Sequence, residues 1–397
     1  MSATCQDLPP PAALGQARPG AFPPTAIAIP ARDEGDYLPG CLLALAQQRG
    51  PAAAPFDYSG VTVLVLANGC TDATADIARA MAPALPFRLE VREVTLPPRL
   101  AHAGGARRTA MDAAAVHLER QRALPRAALL STDADGRAGP HWLAANLAAL
   151  AAGADAVAGA IEPDPVDARR LPACLRRREA QEARYAALLD EIAAVVDPDP
   201  NDPWPRHAAH SGASIALTLE AYRRIGGLPA VPSGEDRALF EALMDAEMRV
   251  RHCPTARVTV SCRLDGRAAG GMADTLRQRL AEAGAAPLDP GLEPATDALR
   301  RLRCRRALRR LRAGQLPPRE QQRLARWLGL DPLALAGCAG RPGFRQAWAE
   351  LQRLAVPLRD RRQLRLRDLG GEIGRAKAIL RALRRRLARL PPAEIGA

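Results

Sequence analysis

The sequence predicts an α/β fold, a mostly parallel sheet with helices on both faces, followed by an Arg-rich helical segment. Three observations predict it. Short apolar or β-branched runs alternate five times with stretches of helical periodicity between residues 25 and 161, at the spacing of βα units. Polar residues gather where those runs end, at Arg32, Asp33 and Glu34, at Asn68, and at Asp133 and Asp135. In such sheets ligands bind outside the carboxyl ends of the strands. Beyond residue 287 the strands vanish and proline-broken, arginine-rich helices take over.

The elements follow in order. Residues 1–24 are rich in Pro, Ala and Gly and read as a disordered tail. TAIAIP (25–30) is a short apolar run ending at a proline, and LPGCLLALAQQ (38–48) has helical periodicity. VTVLVLA (61–67) is too short and too β-branched for a helix. TDATADIARAMA (71–82) opens with Thr71 as an N-cap candidate. FRLEVREV (87–94) alternates like a strand, and HAGGARRTAMDAAAVHLER (102–120) reads as a helix. AALLS (127–131) is a strand, followed by the Asp-x-Asp pair, a helix from Pro140 to about Ala152, and a strand at 154–161.

The second part changes character. A long charged helix is expected over 171–196, then a loop rich in Pro, Asp and His, DPDPNDPWPRHAAHSG. A strand at 214–218 leads into a helix over EAYRRI, the turn GGLPAVPSGED (226–236) and a helix near Arg237. MRVRH (248–252) and ARVTVSC (256–262) read as two closing strands, and RLDGRAAGGMADTLRQRL (263–280) as a loop leading into a helix. Near the end, Ile373, Ala376, Leu380, Leu383, Leu387 and Leu390 recur at spacings of 3 and 4, a heptad-like stripe with arginines on the other faces. This gives three regions: a tail over 1–24, an α/β domain over 25–280 and a basic helical region over 287–397.

Charge is segregated between these regions. Residues 281–397 hold 26 Lys/Arg and 11 Asp/Glu, a balance of +15, while the first 280 residues come to −2. The only lysine is Lys377, so arginine richness is a habit of the whole chain and weak evidence for any one partner. No nucleic-acid motif occurs and aromatics for base stacking are few, which argues against a nucleic-acid partner. The tail fits either a helical subdomain packed through its leucines or peripheral contact of residues 290–397 with an anionic membrane. Eight cysteines are scattered singly, without a zinc or disulfide spacing, as in a reducing cytoplasm. The N-terminus lacks a signal-peptide pattern and no apolar run reaches membrane-spanning length, so the sequence points to a cytoplasmic protein, at most peripheral to the inner face of the membrane.

Two aspartates at i and i+2 past a strand can hold a hard divalent cation, Mg2+ or Mn2+, while leaving coordination sites for a diphosphate; the same pair also makes an ordinary polar turn. Asp236, in Gly-Glu-Asp, is either a base or an acid placed at a favourable helix N-terminus. His207 and His210 either hold a ligand or cap a loop, and Arg107 and Arg108 either meet phosphate or form a surface pair.

The runs together carry a resemblance. IPARDEGDYLPGCLLAL resembles the first strand and helix of family-2 glycosyltransferases of the GT-A fold, a Rossmann-like architecture. VLVLANGCTDATADIA is similar to the family's second strand and its Asp-rich turn, and GGARRTAMDAA to its Gly-x-x-Ala-Arg helix. LLSTDADGRAGPHWLAANLAAL resembles the strand with the Asp-x-Asp motif. GASIALTLEAYRRIGGLP and GEDRALFEAL resemble the acceptor loop and the Glu-Asp motif. The resemblance runs in order from about residue 25 to 270.

What the resemblance implies is a transferase moving a single sugar, with inversion, from a nucleotide-sugar donor (a UDP- or GDP-sugar) to an acceptor hydroxyl, assisted by Mg2+ or Mn2+. Pro30, Ala31, Arg32 and Glu34, with Asn68 and Asp72, would line the nucleoside pocket. Arg107 or Arg108 would approach the diphosphate, Asp133 the ribose or metal, and Asp135 the metal. Asp236 would be the catalytic base, and His210, Gly212 and Glu235 would belong to the acceptor loop.

The sequence departs from the pattern in places. Ala67-Asn68 stands where the family has Asp-Asp, which leaves the base open, and Asp33 replaces a common asparagine. SCRLDGR (261–267) lacks the late histidine that completes many metal sites, leaving Arg263, Arg267 or His252 to supply the remaining contact. The processive synthases' Gln-x-x-Arg-Trp motif is absent. The alternatives are a sugar-phosphate nucleotidyltransferase, whose Gly-rich loop is missing, and a degenerate domain acting as scaffold or membrane adaptor. A dehydrogenase is disfavoured because no Gly-x-Gly-x-x-Gly follows the first strand.

Overall fold

The structure, a computed structural model, describes residues 22–122, 126–266, 270–282, 287–359 and 361–389. Nearly all of the expected N-terminal tail, Arg267 and Leu390 lie outside the described residues.

The first half alternates as expected: β1 (Thr25–Ala31), α1 (Leu38–Ala46), β2 (Val61–Asn68), α2 (Thr74–Met81), β3 (Arg88–Val94), α3 (Ala103–Arg120) and β4 (Ala128–Ser131). A two-residue β5 (Arg137–Ala138), α4 (Trp142–Ala151), β6 (Ala156–Pro163), α5 (Pro165–Arg170) and α6 (Ala173–Val196) follow. Then come β7 (Ile215–Thr218), α7 (Leu219–Arg224), α8 (Glu235–Asp245), β8 (Val250–Val260) and α9 (Met272–Ala281).

The eight strands form one sheet in the order β3-β2-β1-β4-β7-β6-β8-β5. β1 pairs in parallel with β2 and β4, and β2 with β3, so their carboxyl ends share one edge. β7 runs antiparallel between β4 and β6, and β8 returns parallel to β6. Both faces are covered. Ile27, Ile29, Val63 and Val65 point into a core with α1 and α4, while Ala28, Leu64 and Leu66 point into a second core with α3, α7 and α8. Burial on both faces explains why β1 and β2 read as continuous apolar runs.

Three boundaries differ from the sequence expectation. Helix α2 starts at Thr74, not Thr71, because the Asp72 carboxylate receives the Thr74 N–H while Thr71 is tied to Asp33. Helix α8 starts at Glu235, directly after Gly234 at φ +73°. The two strands expected at 248–252 and 256–262 are one, β8. Its register against β6 jumps between Gly159 and Ala160, so residues 254–256 bulge out and Pro254 owes the ladder no N–H.

The rest is helical: α10 (Ala295–Arg312), α11 (Pro318–Leu328), α12 (Pro332–Ala339), α13 (Phe344–Leu354), α14 (Val356–Arg359) and α15 (Leu369–Leu387). Leu369, Ala376 and Leu380 of α15 bury against Tyr185, Ile192 and Val196 of α6, so the leucine stripe is a packing face. Helices α10 to α14 enclose a further core around Leu308, Leu328 and Leu351. Helix α6 thus joins the basic helices to the sheet domain. Among the described residues no helix is long and apolar enough to cross a membrane, and all seven described cysteines are free.

Candidate active site

The carboxyl edge of β1 and β4 and the amino end of α8 meet on one side chain. Arg107, in the first turns of α3, is 5% exposed. Its guanidinium donates to Asp133 at 2.5 Å, to Glu235 at 3.0 Å, to Ser131 Oγ at 3.1 Å and to the Gly212 carbonyl at 2.8 Å. Burial opposes its charge, but Asp133 and Glu235 outweigh burial and hold the guanidinium above its ordinary pKa. The Gly-Gly step before it is required by close packing. A Cβ on Gly104 would sit 2.1 Å from the Val231 carbonyl, and one on Gly105 2.3 Å from the Leu100 carbonyl. Arg108 turns the other way, donating to the carbonyls of Leu228 (3.0 Å) and Gly226 (3.4 Å), and so pins the Gly-Gly-Leu-Pro turn.

A second arginine closes the rim. Arg263, just past β8, donates to both oxygens of Glu34 at 2.7 and 3.0 Å and lies 3.0 Å from Asp135. Its guanidinium also stacks over the Tyr37 ring at 4.7 Å. Burial first, then the neighbouring Asp133, push the Asp135 carboxyl up to about 6, against the pull of Arg263. Glu34, Asp133, Asp135 and Glu235 face Arg107 and Arg263, a formal charge of −2 among these six groups.

The loop after β2 is braced rather than open. Asp33, at φ +51°, accepts from the backbone N–H groups of Thr71 (2.6 Å) and Asp72 (3.3 Å), and Asp72 accepts from Gly35 N–H at 3.0 Å. Asn68 is buried and its side-chain oxygen receives the Leu96 N–H at 3.1 Å. Arg32 is exposed on this rim beside Pro30 and Ala31.

Across the edge, Asp236 Oδ2 accepts the Gly212 N–H at 3.0 Å, and burial followed by Glu235 raises its pKa. His210 stacks on Phe240 of α8 at 4.6 Å. Burial, and then His252, hold both His207 and His210 down at about 4. A cavity of about 560 Å³ lies elsewhere, among Ala334, Cys338, Arg341 and Glu350. Volume alone does not mark the chemistry.

Residues 26–196 match the family model described as Glycosyl transferase family 2. The family-2 match covers the sheet from β1 through α6, including Glu34, Arg107 and the Asp-x-Asp pair. No curated protein matches the chain. Among solved structures it is similar to a mannosyltransferase from Pyrobaculum calidifontis in complex with GDP-Man and Mn2+, at 17% identity and TM-score 0.40, over 92% of this chain and 88% of that one. It is also similar to S. aureus TarS 1-349 in complex with UDP-GlcNAc, at 15% identity and TM-score 0.43, over 91% of each chain.

Of the site residues expected from the family-2 resemblance, the structure gathers Glu34, Arg107, Asp133, Asp135, Gly212, Glu235 and Asp236 through two arginines. Asn68 ends β2 and Asp72 lies on the loop that follows it, while Arg108 faces the turn at 226–228. Sequence reasoning missed Tyr37 and Ser131. It had a signal for Arg107 over Arg108: residues 107, 111, 114 and 118 form one helical stripe, and all four are buried.

Proposed function

We propose that the chain transfers one sugar from a nucleotide-sugar, of the UDP or GDP class, to an acceptor hydroxyl with inversion. The observation that carries this reading is Arg107, whose single buried guanidinium ties the Asp-x-Asp loop through Asp133 to the Glu235-Asp236 helix start. Donor-side and base-side groups are thereby built as one unit in a family-2 domain.

In this reading Glu34, Arg32, Pro30 and Ala31 with Asn68 and Asp72 border the nucleoside, and the diphosphate lies over Asp133 and Asp135. The four carboxylates offer oxygen donors, and with the two arginines the group carries a formal charge of −2, which fits a hard divalent cation. Asp133 and Asp135 would hold Mg2+ or Mn2+, which when bound neutralises charge on the departing nucleoside diphosphate. Arg263 is placed to release Asp135 and turn its guanidinium to phosphate oxygens. Asp236 takes the proton of the acceptor hydroxyl, whose oxygen bonds to the anomeric carbon as the bond to the diphosphate breaks. Its raised pKa strengthens it as a base. The Gly212 N–H orients that carboxylate, and the loop with His210 borders the acceptor. The same reading has residues 290–397 rest on an anionic membrane at its cytoplasmic face.

The test is a panel of UDP- and GDP-sugars offered to the full-length protein with Mg2+, Mn2+ or neither, read as thermal shift and nucleotide release. Binding of one donor, with release lost in Asp135→Ala, is the expected result. If no donor shifts the protein and Asp135→Ala behaves as wild type, the transferase reading fails.

A further inference from the structure

One polar cluster lies apart from the strand-end carboxylates. His207 and His210 sit on the loop between α6 and β7, and His252 sits in β8 beside them. The two Nε2 atoms of His210 and His252 are 3.0 Å apart and their ring centres 5.2 Å apart. The rings of His207 and His252 are 5.6 Å apart, edge to face. Behind His252, Asp202 receives its Nδ1 at 2.9 Å and its backbone N–H at 2.9 Å, and also the Arg251 guanidinium at 2.9 Å. Both ring nitrogens of His207 are shielded from solvent and make no well-formed hydrogen bond, although the backbone of Ala209 and Cys253 lies close by.

We propose that His207, His210 and His252 form a binding site for a transition-metal ion of the zinc class. Two imidazoles on one tetrahedral ion, with metal–nitrogen bonds of about 2.0–2.1 Å, hold their nitrogens about 3.3 Å apart and their ring centres roughly 5 Å apart. His210 and His252 already stand close to this arrangement. Asp202 fixes the proton of His252 on Nδ1 and leaves the Nε2 lone pair directed at His210, the carboxylate–imidazole pairing that orients metal-bound histidines. His207 accounts for the third position. Its two shielded nitrogens lack a well-formed partner, and turning the half-buried ring inward gives one of them a ligand.

Among the described residues, the group whose donor atoms already lie within 4.8 Å of one another is Asp33, Cys70 and Asp72. Its carboxylates are spent on the backbone N–H groups of Gly35, Thr71, Asp72 and Thr74, so it reads as a turn lock rather than an ion site. In the histidine cluster the Nε2 atoms of His210 and His252 face each other instead of a backbone group. An ion there joins the loop to β8 and, through the stacking of His210 on Phe240, to α8. Gly212, which holds Asp236, is two residues further on. The site therefore sets the position of the loop opposite the carboxylates, whether or not the chain transfers sugars.

The experiment uses full-length protein stripped with EDTA and dialysed, then titrated calorimetrically with Zn2+, Co2+ and, for comparison, Mg2+. The expected result is one Zn2+ or Co2+ per chain, with the strong visible bands of tetrahedral Co2+. His207→Ala and His252→Ala should each weaken binding at least 100-fold, Asp202→Asn about 10- to 100-fold, and Asp135→Ala should leave it unchanged. X-ray absorption on Zn2+-loaded wild type depends on no variant folding and should show three imidazoles around the ion. No saturable uptake, which would leave a hydrogen-bonded histidine pair only, overturns the proposal. So does uptake that His207→Ala leaves at full strength, or an absorption spectrum without imidazole.

Discussion

Arg107 and Glu235, 128 residues apart in the chain, meet at 3.0 Å beneath the carboxyl edge of the sheet. The same guanidinium reaches Asp133 at 2.5 Å, so one cation compensates two carboxylates that belong to different elements. Removing it leaves both without their partner in a buried setting. Arg107→Ala should destabilise the fold by about 3–5 kcal/mol, as loss of one partner of a buried pair does. Urea denaturation of both proteins checks this. A loss below about 1 kcal/mol would mean that water replaces the guanidinium.

Asp135 supplies a pH test. Its folded-state pKa is raised to about 6 from an ordinary 3.8, so the folded chain holds a proton that the unfolded chain has already released. Stability therefore falls as pH rises between about 4 and 6 and levels off above that window. Asp135→Asn keeps the size and removes the titration. Relative to wild type, the variant should gain roughly 1–3 kcal/mol between pH 4 and pH 7. Denaturation midpoints at four pH values would show it, and parallel profiles for the two proteins would contradict it.

These two residues also show how much the sequence discloses. Asp135 was legible because an Asp-x-Asp pair at the end of an apolar run is a local pattern. The βα alternation was legible for the same reason: each apolar run and helical stripe is written within ten or so neighbours. The long-range pairings were not. Arg263 finds Glu34 from 229 positions away, and no spacing rule links them. The merger of β8 was hidden by Pro254, which reads as a strand breaker until the bulge opposite Gly159 and Ala160 is seen. Thr71 looked like the helix cap because hydroxyl residues favour that place. The competing bonds to Asp33 are made by a loop from another strand.

Gly104 is a packing test of the same region. A methyl group there would lie 2.1 Å from the Val231 carbonyl and 3.1 Å from Glu235 Cβ. Helix α3 and the segment ahead of α8 would have to part. Gly104→Ala should cost about 1–3 kcal/mol by overpacking, despite the gain in helix propensity. The shift should appear in thermal melts. An unchanged or raised melting temperature would show that the Val231 segment yields freely.

Asp236 separates chemistry from binding. Its Oδ2 accepts the Gly212 N–H, and the asparagine amide, turned with its oxygen toward Gly212, preserves that bond while losing the base. Asp236→Asn should lower kcat about 10²- to 10⁴-fold, the range for a general base, with donor affinity within about twofold of wild type. Product formation and donor titration are measured on the same preparation. Loss of donor affinity in parallel with turnover would assign Asp236 to binding instead.

The basic helices need a test that leaves their packing intact. Deleting residues 290–397 would strip α15 and α10 from α6 and expose Tyr185, Ile192 and Val196 to water, so lost binding after deletion would carry no information about the surface. The outward face of α15 and its continuation presents Lys377, Arg381, Arg385 and Arg389 at four-residue intervals, all exposed, while Leu369, Ala376 and Leu380 face inward. Cations spaced in this way are about 6 Å apart along the helix axis, and each is worth about 1 kcal/mol on an anionic membrane surface. Arg381→Ala with Arg385→Ala should therefore weaken co-sedimentation with phosphatidylserine-containing vesicles roughly 30-fold, leave the melting temperature unchanged, and have no effect on uncharged vesicles, which wild type should not bind. Added salt should weaken wild-type binding in the same direction. Equal retention of wild type and variant on anionic vesicles would remove the membrane from the proposed function and leave these helices as a packed extension of α6.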